Sequence, residues 1–316
     1  MTLHLTHQGA TLRLRAGRLL LEKDGAILAD LPARQVRQVA LWGNVRLSTP
    51  ALTFLLRQGV PVLYLSQEGL LYGVAGAFTD PDPAHLRAQL SAPPLPLARA
   101  FVAGKLRSAQ ALLSRHGVPQ AEAVGEALAE VERTRTLEAL RGVEGLGSRA
   151  YFAGLTKLLG LHGFSGRNRR PPKDPVNAAL SYGYALLLGR ALLALRLAGL
   201  HPEVGFLHAE GRRSPALALD LMEEFRVPVV DQVVLAAFRR GQLTPAHAEP
   251  RQGGVYLNEE GKKRLIALLE ARLAKVATHP LGFRKTYGEL LEVQAHRLKK
   301  ALLGKEAYTP YYLRLH

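Results

Sequence analysis

The sequence predicts an α+β protein with a β-rich amino-terminal domain over residues 1–90, a linker over 91–97 and an all-helical domain over 98–316. Three observations set this reading. The first third is made of short alternating segments separated by glycine turns. Two proline clusters, Asp80-Pro81-Asp82-Pro83 and Pro93-Pro94-Leu95-Pro96, then interrupt any regular element. Beyond about Leu97, leucine and alanine recur at helical spacing. At 316 residues the chain is long enough to build two cores.

In order, Thr11 to Arg15 alternates apolar and polar residues as a half-buried strand does, and Leu19–Glu22, Gly25–Leu28, Val36–Trp42 and Val60–Leu65 read as further strands. Gly17, Asp24-Gly25, Gly43-Asn44 and Glu68-Gly69 mark turns. A short helix starts at Thr49-Pro50 and runs to about Arg57, because proline suits the first helical turn. Nothing in this region groups acids, bases or metal ligands, so it reads as a scaffold or a dimer-forming domain. Helices are expected over Ala98–Arg115 and Ala121–Arg141, and from Asp174-Pro175 to Ala198 with a stop near Gly199. Two more start near Asn258, a plausible cap, and near Leu281. No internal repeat or low-complexity tract is present.

Composition narrows the function. The net charge is +16 and the pI about 10.3, and 31 of the 42 basic residues are arginine. Guanidinium matches phosphate oxygens in a planar fork, so nucleic acid is the first expected partner and an acidic membrane surface the second. A heat-adapted surface is the plain alternative. The absence of cysteine excludes disulfides, thiolate nucleophiles and cysteine-ligated metals. The amino terminus lacks the layout of an export signal, and the most apolar run, Ala185–Leu200, contains Arg190 and Arg196 and is short for a bilayer. The chain reads as soluble, cytoplasmic and free of membrane. No phosphate-binding glycine loop, nucleophile elbow or HExxH occurs.

The most informative stretch is GFLHAEGRRSPALALDLMEEF, Gly205 to Phe225. His208 precedes a short basic loop, and a helix capped by Ser214 and begun by Pro215 then carries Asp220, Glu223 and Glu224 on one side beside an apolar arc. Carboxylates on a largely apolar helix line a cleft or pair with a neighbour such as Arg226, because buried unpaired charge is costly. A hard divalent cation relieves that cost, and His208 is placed to add a nitrogen ligand. Glu144 lies in LRGVEGLGSRAYF, either in a plain turn between helices or where glycines let a ligand approach. The loop RNRRPPKDP brings together Arg167, Arg169, Arg170 and Lys173, ahead of a helix carrying Asn177, Tyr182 and Tyr184. Further basic pairs stand at Arg212-Arg213, Arg239-Arg240, Lys262-Lys263 and Lys299-Lys300. An acid–histidine site holding Mg²⁺ or Mn²⁺ in a basic protein suits phosphodiester cleavage or transfer.

Three motifs together, EGLGSRAYF from Glu144, RRPPKDPVNAALSYGYALL from Arg169 and GFLHAEGRRSPALALDLMEEFR from Gly205, make the chain resemble the CRISPR-associated spacer-acquisition endonuclease family, over nearly its whole length. The resemblance implies a metal triad of Glu144, His208 and Glu223, assisted by Asp220. It also implies a homodimer working with a smaller companion subunit on double-stranded DNA, both protospacer and CRISPR repeat. By resemblance, a 3′-hydroxyl of the incoming DNA attacks a phosphodiester at the repeat boundary. Arg167, Arg169, Arg170, Lys173, Asn177, Tyr182, Arg212 and Arg213 are the expected DNA contacts. The rival reading is a basic DNA-binding assembly module without catalysis.

Overall fold

The computed structural model describes residues 2–69, 71–76, 82–169, 171–208, 214–251 and 253–314. The chain divides into two compact units, Met1–Asp80 and Pro81–His316. The α+β expectation holds, with strands gathered in the first unit and helices in the second.

The first unit builds two four-stranded sheets. One has the order β1 (Thr2–Leu5), β5 (Gln38–Trp42), β7 (Val62–Leu65), β8 (Leu71–Ala75), the first three parallel. The other has the order β4 (Ala26–Pro32), β3 (Arg18–Lys23), β2 (Thr11–Arg15), β6 (Arg46–Leu47). The β2–β3 and β3–β4 hairpins turn through Ala16-Gly17 and Asp24-Gly25, all four with positive φ, which matches the twist of a two-residue hairpin loop. Leu12, Leu19, Leu21, Val39 and Leu41 form the core with Leu55 of α1 (Thr49–Arg57), the helix predicted to start at Thr49. Strands β1, β6 and β8 are too short or too mixed in composition to stand out in the sequence.

The second unit contains α2 (Pro83–Ser91), α3 (Pro94–Arg115), α4 (Gln120–Val131), α5 (Leu137–Leu159), α6 (Pro175–Ala198), α7 (Ala216–Phe225), α8 (Gln232–Arg239), α9 (Glu259–Leu273) and α10 (Tyr287–Leu302). The expected 91–97 linker is instead the end of α2 and the first turn of α3. Proline fixes a φ that a first helical turn already requires, so the second cluster starts a helix. The boundary between units falls ten residues before the expected 90, at 80/81. The single helix expected over 121–141 is two, separated at 132–136, with Thr136 capping α5 through Ala139 N. Two short hairpins, β9 (Ala248–Arg251) with β10 (Gly254–Leu257) and β11 (Val276–Thr278) with β12 (Arg284–Thr286), interrupt an otherwise helical unit. The last helix starts at Tyr287 rather than near Leu281, because Thr286 and Glu289 form a capping box there. Asp174 and Asn258 cap α6 and α9 as read from the sequence.

Helix α6 is long and apolar enough to cross a membrane, yet 72% of its apolar window is buried among the neighbouring helices. Helix α7 is buried everywhere but at Leu219 and is followed by a wide π-type turn, Arg226–Asp231. Beyond α10 the chain runs without regular structure to Arg314 and inserts Tyr311 against α7, where its ring stacks on Phe225 at 5.2 Å. Phe225→Ala is expected to cost the helical unit about 3–5 kcal/mol through the cavity it leaves. A denaturant titration followed by helical circular dichroism checks this, and an unchanged midpoint would contradict the packing.

Candidate functional site

Three helices and one loop of the second unit meet at the site. Glu144 lies in the middle of α5, not in a turn; a Cβ would meet nothing at Gly142 or Gly145, whereas Gly147 serves packing. A Cβ at Gly147 would come within 2.6 Å of Leu106 on α3 and 3.2 Å of Ala127 on α4, so glycine lets α5 pack closely against both. From α3, Lys105 places its ammonium between two carboxylates: it pairs with Glu144 Oε1 and stands 2.9 Å from Glu223 Oε2. Ser148, one turn along α5, donates to Glu144 Oε1 at 2.8 Å.

Asp220 organises the loop that carries His208. Its Oδ2 accepts the backbone N–H groups of Phe206 and Leu207 at 2.6 and 3.0 Å. Its Oδ1 accepts His208 N at 2.9 Å and faces His208 Nδ1 at 2.7 Å. An ionised carboxylate only accepts, so Nδ1 carries the proton and Nε2 presents its lone pair. Arg141 of α5 holds the same loop by donating to Leu207 O at 2.9 Å. The loop lies flat on α7 because residue 205 is glycine, where a Cβ would fall 2.6 Å from that of Ala216. Ser214 makes no side-chain cap, and Pro215 takes the cap position ahead of Ala216. Asp220 is thus a positioning residue, with both oxygens committed to the His208 loop.

Glu223 is 2% exposed. Its Oε1 lies 3.3 Å from Arg226 and 3.8 Å from His208 Nε2. Burial works against its charge, but Arg226 and Lys105, with His208 adding to them when its ring is protonated, outweigh it and hold the carboxyl down at about 2. Burial raises Glu144 in the same way, and Lys105 more than reverses it, leaving that group below the usual carboxylate range. Lys105 loses from burial and gains more from Glu223 and Glu144, so its ammonium is held above its ordinary value. Beneath these groups Arg226 stacks over Tyr184 at 4.6 Å, and Tyr184 and Tyr151 donate to Asp231 at 2.5 and 2.7 Å. Burial pushes Asp231 up to about 6.

Glu224 does not share the site. Successive helical residues are about 100° apart, and this side chain turns towards α10 and the tail. There it accepts from Gln294 and Tyr311 N, both at 2.7 Å, and from the Tyr308 hydroxyl. Burial lifts it to about 7 despite those donors.

The expected DNA contacts divide. Asn177 is fully buried, donating to Gly166 O and Asp174 Oδ2 and accepting from Arg167 and from Asn168 N. Tyr182 is 3% exposed. Both are corrected to structural roles, since neither presents a polar edge to a strand. Arg167 is turned inward as well, bonded to Asn177 and Ser181 and stacked over Tyr184 at 5.5 Å. Arg169 and Lys173 are exposed. Arg170, Arg212 and Arg213 lie outside the described residues.

Among the described residues no three His, Asp or Glu side chains form a ready-made metal cluster, because Lys105 is interposed between Glu144 and Glu223. The donor set nevertheless fits a hard divalent cation. Glu144 and Glu223 share Lys105 between them and His208 Nε2 lies 3.8 Å from Glu223 Oε1, so two carboxylates and an imidazole border one pocket, and the buried Glu223 Oε2 meets the Lys105 ammonium alone. Lys105 was missed from the sequence. Its signal was a lone lysine in the apolar run AFVAGKLRSAQALL of α3.

A strand-rich unit followed by a helical unit with an acid–imidazole pocket defines the class of protein. The family model for CRISPR associated protein Cas1 matches residues 3–271, and the chain belongs to that family. It is 75% identical over 313 residues to CRISPR-associated endonuclease Cas1 1 of Thermus thermophilus, covering 99% of each chain. In fold it is similar to a casposase bound to integration product, with a TM-score of 0.88 at 21% identity, covering 100% of this chain and 94% of that one. It is also similar to a chain of a Cas6-RT-Cas1–Cas2 complex, with a TM-score of 0.84 at 25% identity, covering 99% of this chain and 36% of that one.

Because the folded Glu224 carboxyl titrates at about 7 rather than the ordinary 4.5, the folded state holds its proton more tightly than the unfolded state does. Stability contributed by the protonated group is therefore lost as pH rises from about 4.5 to about 7. Relative to Glu224→Gln, the wild type is expected to lose stability across that window and then level off. Urea midpoints at several pH values check it, and parallel profiles for the two proteins would contradict it.

Proposed function

We propose that this chain is a divalent-metal-dependent DNA endonuclease and integrase of CRISPR adaptation, joining a 3′-hydroxyl of spacer DNA to a phosphodiester of the array by transesterification. The observation that carries the reading is the convergence of three separate parts of the chain on Glu223, which shares Lys105 with Glu144 and faces His208 Nε2 at 3.8 Å. Glu144, His208 and Glu223 would hold Mg²⁺ or Mn²⁺. When bound, the cation supplies Lewis-acid polarisation of the phosphoryl group and eases ionisation of the attacking hydroxyl or water.

The protein's own residues prepare that chemistry. Asp220 fixes the tautomer and direction of His208. Arg226, braced on Tyr184 and through it on Asp231, keeps Glu223 ionised. Lys105 balances Glu144 and Glu223. The net charge of +16 supplies the general attraction for DNA. The name of the 75% identical relative supports endonuclease activity, and the casposase structure supports integration on this fold. The Cas1–Cas2 complex supports a companion subunit. A homodimer acting on protospacer and repeat duplexes in the cytoplasm completes the proposal.

Alanine at Glu144, His208 or Glu223 is expected to lower nuclease and strand-transfer rates at least about 100-fold, and excess chelator to abolish them. Duplex affinity should stay within about threefold, because none of these groups grips phosphate directly. Full activity in all three variants would instead favour a DNA-binding module without catalysis. Lys105→Met leaves the buried Glu223 and the half-buried Glu144 carboxylates facing each other. In chelator it is expected to destabilise the protein by about 3–5 kcal/mol, and Mn²⁺ should restore more of its melting temperature than it adds to wild type. A variant as stable as wild type in chelator would remove Lys105 from this role.

A further inference from the structure

A second charged feature of the helical unit lies away from this pocket. A groove of about 630 Å³ is formed by the end of α3, by α8 and by the end of α9. His116, Arg239, Arg240, Arg272 and Lys275 line it, and among the described residues none of its lining is acidic. His116 is eleven residues beyond Lys105 on α3, or about 16 Å along the helix axis. A group held here is therefore not one held at the Glu144–Glu223 pocket.

The cations are arranged for an external anion rather than for each other. Arg272 is fixed at the floor, donating to Pro228 O at 2.8 Å and Tyr287 OH at 2.9 Å while stacking on the Tyr287 ring at 4.4 Å. Arg239 spends one N–H on His116 Nδ1 at 3.2 Å, which commits that imidazole to accepting and leaves the other guanidinium donors free. Burial and the neighbouring Arg239 and Arg115 also hold His116 below its ordinary range, as a site of positive potential does. Arg239, Arg240 and Lys275 are exposed on the rim, so gathering them gains nothing from burial and costs mutual repulsion. Between them the half-buried Leu268 offers an apolar surface, backed by the buried Leu112 and Leu235.

We infer that this groove binds a phosphate-bearing ligand, with Arg239, Arg240 and Lys275 gripping the phosphate oxygens and the leucine surface meeting a sugar or base. Arginine's planar fork matches phosphate, and the volume suits one or two nucleotides. The phosphate belongs either to a nucleic-acid strand passing the groove or to a free nucleotide.

The test uses the full-length protein in chelator, wild type against the triple variant Arg239→Ala, Arg240→Ala, Lys275→Ala, with Arg240→Ala, Lys275→Ala as a milder companion. The probes are a fluorescent thymidine hexanucleotide, titrated over a range of salt, and inorganic pyrophosphate, read by thermal shift. For a strand, the triple variant should lower the slope of log affinity against log salt by about 2 and the double variant by about 1.4. For a free nucleotide, pyrophosphate should raise the melting temperature of wild type but not of the triple variant, with hexanucleotide binding unchanged. If both probes behave alike on wild type and triple variant, or wild type binds neither, the groove is not a phosphate site.

Discussion

The second unit is organised around one buried carboxylate. Glu223 sits on a helix buried everywhere but at Leu219, so its charge has to be matched by protein groups. Lys105 reaches it from α3 and Arg226 from the turn after α7. Arg226 is in turn held over Tyr184, whose hydroxyl is tied to Asp231. Packing of α3, α5, α6 and α7 and the charge balance of the pocket are thus a single constraint. Removing one cation leaves an uncompensated ion in the core, the costly half of a buried pair.

Adjacent glutamates on α7 show how strongly surroundings decide chemistry. Glu223 faces two cations and an imidazole and is held at about 2. Glu224 faces a tyrosine hydroxyl, a glutamine amide and one backbone N–H, with only a weak pull from Arg297, and burial lifts it to about 7. One is held charged by Lys105 and Arg226. The other fastens the carboxyl-terminal tail to α7, placing Tyr311 against Phe225. Asp220 takes a third role, holding three backbone N–H groups and an imidazole at once.

Periodicity and turn chemistry carried much of the fold in the sequence. The Asp24-Gly25 hairpin, the Thr49 helix start, the Asp174 and Asn258 caps and the Gly199 stop all rest on local backbone rules, and all occur. Where reading failed, long-range packing had decided. Glycines around Glu144 look like a turn until α3 and α4 are seen to press on Gly147. Asn177 and Tyr182 share a segment with a basic loop, yet their side chains point into the unit, which no local pattern separates from pointing out. The acids and the histidine were visible as residue types in an apolar setting, whereas Lys105 was hidden because its meaning comes only from two carboxylates contributed by other helices.

Local electrostatics also explain why so basic a protein needs cations inside its pocket. Three carboxylates, Glu144, Asp220 and Glu223, would on their own repel a phosphodiester however positive the distant surface, since screening confines the surface field to about 8–10 Å at ordinary ionic strength. Lys105 and Arg226 cancel two of those charges, and the Asp220 charge is spread over backbone donors and His208. The pocket is thereby nearly neutral as it stands, and a divalent cation would make it net positive at the place where a phosphate must sit. Arg226 and the Asp231 network therefore set the charge of the pocket as much as Glu144 and Glu223 do.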